Sequence, residues 1–184
     1  MGATPDLVTV IGTVGVCVGA LFFFPRGQFV WGVLFTTVFV FADTLDGTMA
    51  RLSGRTSSWG AFLDSTLDRF GDAAVFGGLV LYYTRQSDGA ATAWAALGCL
   101  VFGFVTSYAR ARAEGLGLRG ANVGIAERAD RLVVALASTL LIGLFGWPDT
   151  VHTVVLGILA VASAVTVAQR MLAVKHEITQ AGAP

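Results

Sequence analysis

Residues 42–68 read ADTLDGTMARLSGRTSSWGAFLDSTLD. Four aspartates punctuate this stretch, Asp43, Asp46, Asp64 and Asp68. The sequence around them is membrane-like: FVWGVLFTTVFVF (29–41) leads in and AAVFGGLVLYY (73–83) leads out. Asp43 and Asp46 stand i, i+3 on one helix face, and Asp64 and Asp68 stand i, i+4 on another. Carboxylates are costly in hydrocarbon, so a cluster of them in greasy sequence points to a functional site. Gly47, Ala50, Arg51 and Gly60 lie between the pairs.

The rest of the chain has the same apolar character. Of its 184 residues 55% are hydrophobic and 13% charged, against roughly 25% charged in soluble domains. This predicts an integral membrane protein forming a single domain over 1–184, with membrane lipid as its surroundings and no nucleic-acid partner. Cys17 and Cys99 fall in apolar segments and read as buried free thiols. His152 and His176 are far apart and read as interfacial side chains, not ligands. The first apolar run has no basic leader and no small-residue cleavage site, so no cleavable signal peptide is expected.

A helix needs about 20 apolar residues to cross the bilayer core. The sequence predicts an all-α, polytopic protein with six transmembrane helices: about Thr4 to Phe24, Phe29 to Arg51, Trp59 to Tyr83, Ala90 to Glu114, Glu127 to Phe145, and Thr150 to Lys175. The glycines of GLGLRGANVGIA (115–126) argue for a loop there. Arg51, Arg55, Arg69, Arg110, Arg112, Arg119, Arg128, Arg131, Arg170 and Lys175 gather on one side, and only Arg26 and Arg85 on the other. The positive-inside rule makes the first side cytoplasmic, with both termini on it. The four aspartates sit one to three turns in from that side, so the active site faces the cytoplasm of a multi-pass cell-membrane protein. Trp59, Trp94 and Trp147 fit interfacial anchor positions.

Four neighbouring carboxylates cannot all ionise without compensating cations. One or two divalent metals meet that need, and oxygen-only ligands suit Mg²⁺, Mn²⁺ or Ca²⁺ over zinc. Two such ions about 4 Å apart would clamp a phosphoryl centre undergoing displacement. Small residues at Gly47, Ala50 and Gly60 would let a large substrate approach the backbone. Simpler readings exist: a membrane Asp can be a packing contact or part of a proton or ion path, and spaced small residues can be helix packing alone.

The pattern D-x2-D-G-x2-A-R-x8-G-x3-D-x3-D resembles the signature of the CDP-alcohol phosphotransferases, matched at Asp43, Asp46, Gly47, Ala50, Arg51, Gly60, Asp64 and Asp68. The resemblance implies transfer of a phosphatidyl-type group from a CDP-linked lipid to an alcohol, with release of CMP, by a homodimer binding two divalent metals per subunit, Mg²⁺ or alternatively Mn²⁺. It implies Asp43, Asp46, Asp64 and Asp68 as metal ligands, with Asp68 also the general base. It implies contact with the CDP group by Asp6, Leu7, Val8 and Thr9 and by Gly47, Arg51 and Ser57. Asp6 stands in TPDLVT, where many members carry TPN. Members also carry an amphipathic helix before this stretch, which the start at Met1-Gly2-Ala3 predicts to be missing here.

The acceptor must be read elsewhere. Arg110, Arg131 and Arg170, from the ends of three different spans, could converge on the aspartate side. A guanidinium cluster suits a dianionic phosphate, which favours a phosphorylated acceptor; the alternative is a basic rim for lipid headgroups. SYARARAEGLGLRG, ERADRL and VAQRM are similar to the actinobacterial phosphatidylinositol phosphate synthases, and this implies an inositol-phosphate pocket at those three arginines. The implied substrates are CDP-diacylglycerol and inositol 1-phosphate (1D-myo-inositol 3-phosphate). Glu127 and Asp130 would orient Arg128 and Arg131 by pairing. The competing readings are a phosphatidylglycerophosphate synthase, whose acceptor is glycerol 3-phosphate, and a divalent-metal transporter. The transporter would want polar residues deep in several spans, and spans one, five and six are nearly all apolar at mid-depth.

Overall fold

The computed structural model describes residues 5–52, 57–180 and 182, with the backbone alone at 5 and 42–52. Among the described residues every regular element is helical. The helices are α1 (Pro5–Phe23), α2 (Phe29–Leu52), α3 (Ser58–Tyr83), α4 (Ala90–Gly115), α5 (Arg128–Phe145) and α6 (Asp149–Gln180). A short 3-10 turn, Phe24–Arg26, joins α1 to α2. Pro25 suits the start of that turn, and Gly27 closes it at φ 70°, a left-handed conformation that glycine adopts without strain. Ser57 opens α3 by accepting a hydrogen bond from the Gly60 amide at 2.9 Å. Gly146, at φ 62°, ends α5, and Pro148 follows it.

The predicted helices all form, within a few residues of their expected ends. The largest difference is at α6, which runs on to Gln180, beyond the apolar stretch that marks its span. Among the described residues three stretches are long and apolar enough to cross a membrane: Asp6–Arg26, Ala90–Gly115 and Asp149–Gln180, with Phe29–Phe41 a shorter apolar segment. The described parts of α3 and α5 carry the charged residues Asp64, Asp68, Arg69 and Asp72, and Arg128, Asp130 and Arg131, which dilute their hydropathy.

α1 packs on α2 and α3, α3 on α4, α4 on α6, and α5 touches α2 and α6. Small residues make the seams close. Ala20, Ala74, Ala93, Ala96, Ala135 and Ala160 are buried. At Gly78 an added Cβ would lie 2.8 Å from the Ala20 carbonyl oxygen, so α1 and α3 meet backbone to backbone there. Cys99 donates its thiol to the Leu156 carbonyl, and Cys17 is half-buried; both thiols are free, as expected. Trp59, Trp94 and Trp147 are exposed.

One end of the bundle is filled. Phe24, Phe29, Tyr83 and His152 are buried together there. The Tyr83 hydroxyl lies 2.8 Å from His152 Nδ1 and 3.3 Å from Asp149 Oδ1. His152 Nε2 lies 3.3 Å from the Thr139 hydroxyl. His152 is therefore not an interfacial side chain; both its nitrogens are satisfied inside the protein, which is what allows a polar ring to be buried. Arg26 and Arg85 share this end, with Arg85 reaching the Pro25 carbonyl.

Candidate active site

At the opposite end a cleft of about 1020 Å³ opens between α3, α4, the start of α5 and the last turns of α6. Asp68, Arg69, Arg110, Arg128, Arg131, Arg170 and Glu127 line it, together with apolar side chains that include Phe62, Phe70, Phe104 and Tyr108. From Asp68 to Tyr83 is 15 residues along α3, roughly 22 Å at the α-helical rise, so the cleft and the filled end are well separated.

Asp64, Asp68 and Asp72 stand at four-residue intervals along α3. Asp64 is exposed, Asp68 half-buried and Asp72 buried, its side chain 4% exposed. Arg128, in the first turn of α5, forks across the inner pair: Nη1 meets Asp68 Oδ1 at 2.9 Å and Nε meets Asp72 Oδ1 at 3.0 Å. Arg69 lies 3.5 Å from Asp72 Oδ2 and donates to the Ser107 hydroxyl of α4. The second Asp68 oxygen is 3.8 Å from Arg69, beyond hydrogen-bonding distance. Asp68 is thus hydrogen-bonded to a guanidinium through one oxygen, while the other makes only the looser ion pair with Arg69. Two arginines compensate Asp72, as a buried carboxylate requires.

The three arginines expected to meet an acceptor do line one cleft, in unequal ways. Arg131 is buried, its Nη1 donating to the Ala126 carbonyl at 3.0 Å. Gly103 of α4 makes room for it: an added Cβ would lie 3.1 Å from Arg131 Nη2. Arg170 is also buried. Its Nε donates to Val123 O at 2.9 Å, its Nη1 to Thr106 O at 2.8 Å, and its Nη2 to Glu127 Oε1 at 3.1 Å. Arg110 is half-exposed and pairs with Glu114 one turn on, at 3.0 Å.

The expected pairing of Glu127 and Asp130 with Arg128 and Arg131 does not form. Asp130 instead accepts the Glu127 amide at 3.2 Å, half of a capping box at the start of α5. Glu127 points to α6 and Arg170, while Arg128 turns to α3. The expectation failed because neighbours in sequence at a helix start leave on different faces.

The loop between α4 and α5 is fastened to α6. Glu177 accepts the amides of Arg119 and Gly120, at 3.0 Å (Oε1) and 2.6 Å (Oε2). The Ala126 amide donates to the Thr166 hydroxyl at 3.1 Å. α6 has 32 residues, about 48 Å of helix, which is longer than a hydrocarbon core of about 30 Å. The two amide hydrogen bonds hold the Glu177 carboxyl below the ordinary glutamate range.

Of the residues expected to meet the CDP group, Ser57 caps α3, and Asp6 lies beside Gly60, where an added Cβ would come within 3.7 Å of Asp6 Oδ1. Leu7 is exposed, and Val8 and Thr9 are half-buried. The side chains of Asp43, Asp46, Gly47 and Arg51 lie outside the described residues; their backbone is the last part of α2. Among the described residues no three His, Cys, Asp or Glu side chains converge. The donor set nevertheless suits a hard divalent cation: Asp64 and Asp68 offer carboxylate oxygens one turn apart.

Asp72, Arg69 and the fork of Arg128 were not among the expected site residues. Asp72 extends the Asp64–Asp68 spacing by one more turn, and a carboxylate that deep in a span needs a cation. That signal lay in the sequence; which cation answered it did not.

The family description CDP-alcohol phosphatidyltransferase matches residues 3–166. The chain is 48% identical over 186 residues to a phosphatidylinositol phosphate synthase of Streptomyces avermitilis, covering 99% of this chain and 76% of the relative. It is 50% identical over 181 residues to the Cutibacterium acnes enzyme of the same name, covering 94% and 86%. The crystal structure of Mycobacterium tuberculosis phosphatidylinositol phosphate synthase with CDP-DAG bound superposes with a TM-score of 0.87 at 41% identity, covering 94% of this chain and 87% of that one. The same enzyme in complex with manganese and citrate also gives 0.87, covering 94% and 83%.

Proposed function

This chain belongs to the CDP-alcohol phosphatidyltransferase family, and from that premise we infer that it transfers the phosphatidyl group of CDP-diacylglycerol to inositol phosphate, giving phosphatidylinositol phosphate and CMP. The observation that carries the acceptor assignment is the cleft in which Asp68 shares a wall with Arg131 and Arg170. Buried guanidinium groups facing a carboxylate suit a substrate with a phosphate at one end and a hydroxyl at the other.

In this reading all six helices span the cell membrane, with both termini and the cleft on the cytoplasmic side. Asp43, Asp46, Asp64 and Asp68 hold two Mg²⁺ ions, or Mn²⁺, which when bound neutralise the pyrophosphate and stabilise departing CMP. Asp6 to Thr9, Gly47, Arg51 and Ser57 seat the CDP group, and the diacylglycerol chains stay in lipid. Arg110, Arg131 and Arg170 bind the acceptor phosphate and so aim its free hydroxyl at Asp68. Asp68, its orientation set by Arg128, accepts the hydroxyl proton. The freed oxygen displaces CMP at the phosphorus carrying diacylglycerol, and positioning supplies much of the rate. The functional unit is a homodimer.

Purified protein given CDP-diacylglycerol, Mg²⁺ and inositol phosphate should release CMP and form the phosphorylated inositol lipid. Release of CMP with glycerol 3-phosphate, and none with inositol phosphate, would replace the acceptor assignment with the glycerophosphate one.

A further inference from the structure

Arg170 has a division of labour among its donors that the acceptor-binding role does not explain. Two of its nitrogens are fixed by backbone: Nε by Val123 O and Nη1 by Thr106 O. These bonds come from the loop and from α4, so the guanidinium is anchored without any carboxylate. Its side chain is 3% exposed, and Nη2 meets Glu127 Oε1 at 3.1 Å. Glu127 itself is 49% exposed and lines the cleft. A half-exposed carboxylate thus sits on a nearly buried cation that is already held in place. Arg110 is similarly engaged on the same wall, by Glu114.

We propose that Glu127 is a specificity-determining residue: its carboxylate occupies Arg170 Nη2 as a stand-in for the acceptor phosphate and yields only to a more highly charged anion. The inference rests on the acceptor reading given above. A carboxylate brings one negative charge to the buried guanidinium while no acceptor is bound. A phosphate monoester brings up to two charges and three strong acceptor oxygens, and it meets Arg131 as well. It therefore displaces Glu127, which swings into the solvent it already half faces. A neutral polyol has no charge with which to do so. Selectivity here arises from competition with a resident anion, added to direct attraction.

The test is Glu127→Gln, which keeps shape and removes charge, beside Glu127→Ser, which keeps a good helix N-cap and cannot reach Arg170. If Glu127 competes, both variants lower the KM for inositol phosphate and the inhibition constant for inorganic phosphate, each about fivefold, the scale of one ion pair. The KM for CDP-diacylglycerol stays where it was. If Glu127 instead helps to hold Arg170, the acceptor KM rises in both variants and the proposal falls; an unchanged KM also overturns it. Binding of inorganic phosphate to the unreacting protein, followed by calorimetry, gives the same comparison without turnover. Wild-type protein that binds phosphate but makes no inositol lipid would defeat the acceptor reading, and the calorimetric comparison would still judge Glu127.

Discussion

Arg128 touches two carboxylates with different duties. Through Nη1 it orients Asp68 at the cleft, and through Nε it compensates buried Asp72. Asp72 is not among the cleft's lining residues, so in the proposed reaction it would act through its arginines, as a positioning residue. Asp72→Asn should lower kcat at least tenfold with smaller changes in both KM values, and Arg128→Ala should do likewise. The double variant should lose little more than the worse single one, because residues acting through one contact are not additive. Multiplied losses would show two independent roles. The thermal midpoint in detergent reports stability separately, and Asp72→Asn should cost about 1–3 kcal/mol, because it leaves two part-exposed arginines short of a counter-charge. Asp68→Asn should abolish CMP release; near-full turnover would remove Asp68 as the base.

At the scale of elements, the α4–α5 loop and α6 behave as one clamp around Arg170. Gly103 leaves the space that Arg131 fills, so Gly103→Ala should push the guanidinium aside and raise the acceptor KM severalfold, leaving the CDP-lipid KM near its original value. Glu177 fastens the loop by two backbone amides. Its folded-state pKa is depressed, so its contribution is complete above the ordinary glutamate value and is lost as pH falls through the lower, folded value. Hydrogen exchange across 116–127, corrected for intrinsic rate, should quicken over that acidic window. In Glu177→Gln it should be fast already at neutral pH. A loop whose exchange ignores both changes is not held by Glu177. The sequence announced this loop through its glycines and announced every helix through its apolar run. It was silent about the clamp, because a glutamate 58 residues from its partner leaves no periodic trace. The pairing of Glu127 was misread for a related reason: proximity along the chain says little about which face of a helix start a side chain leaves from. The aspartate spacing was the readable part of the site, since i, i+4 geometry is local. The arginine fork joins α3 to α5, and only the fold could place it.

For the whole molecule, the distribution of Lys and Arg sets the expected sidedness. Ser87→Cys, in the turn that follows Arg85, should react with a membrane-impermeant thiol reagent on intact cells. Arg119→Cys, in the clamp loop, should react only after the cells are opened. Cys99 is buried and Cys17 half-buried, so the native background should be low. Labelling of Arg119→Cys on intact cells, with Ser87→Cys reacting only after the cells are opened, would reverse the orientation.

The plug of Phe24, Phe29, Tyr83 and His152 also bears on traffic. A bundle closed at one end and open at the other is a cul-de-sac. Under the proposed orientation, a lipid entering the cleft from one leaflet would leave by the way it came, and the new headgroup would be installed with no turning over of the acyl chains. On that reading the enzyme would write its product onto a single face of the bilayer, and moving that lipid to the opposite face would be work left for some other machine.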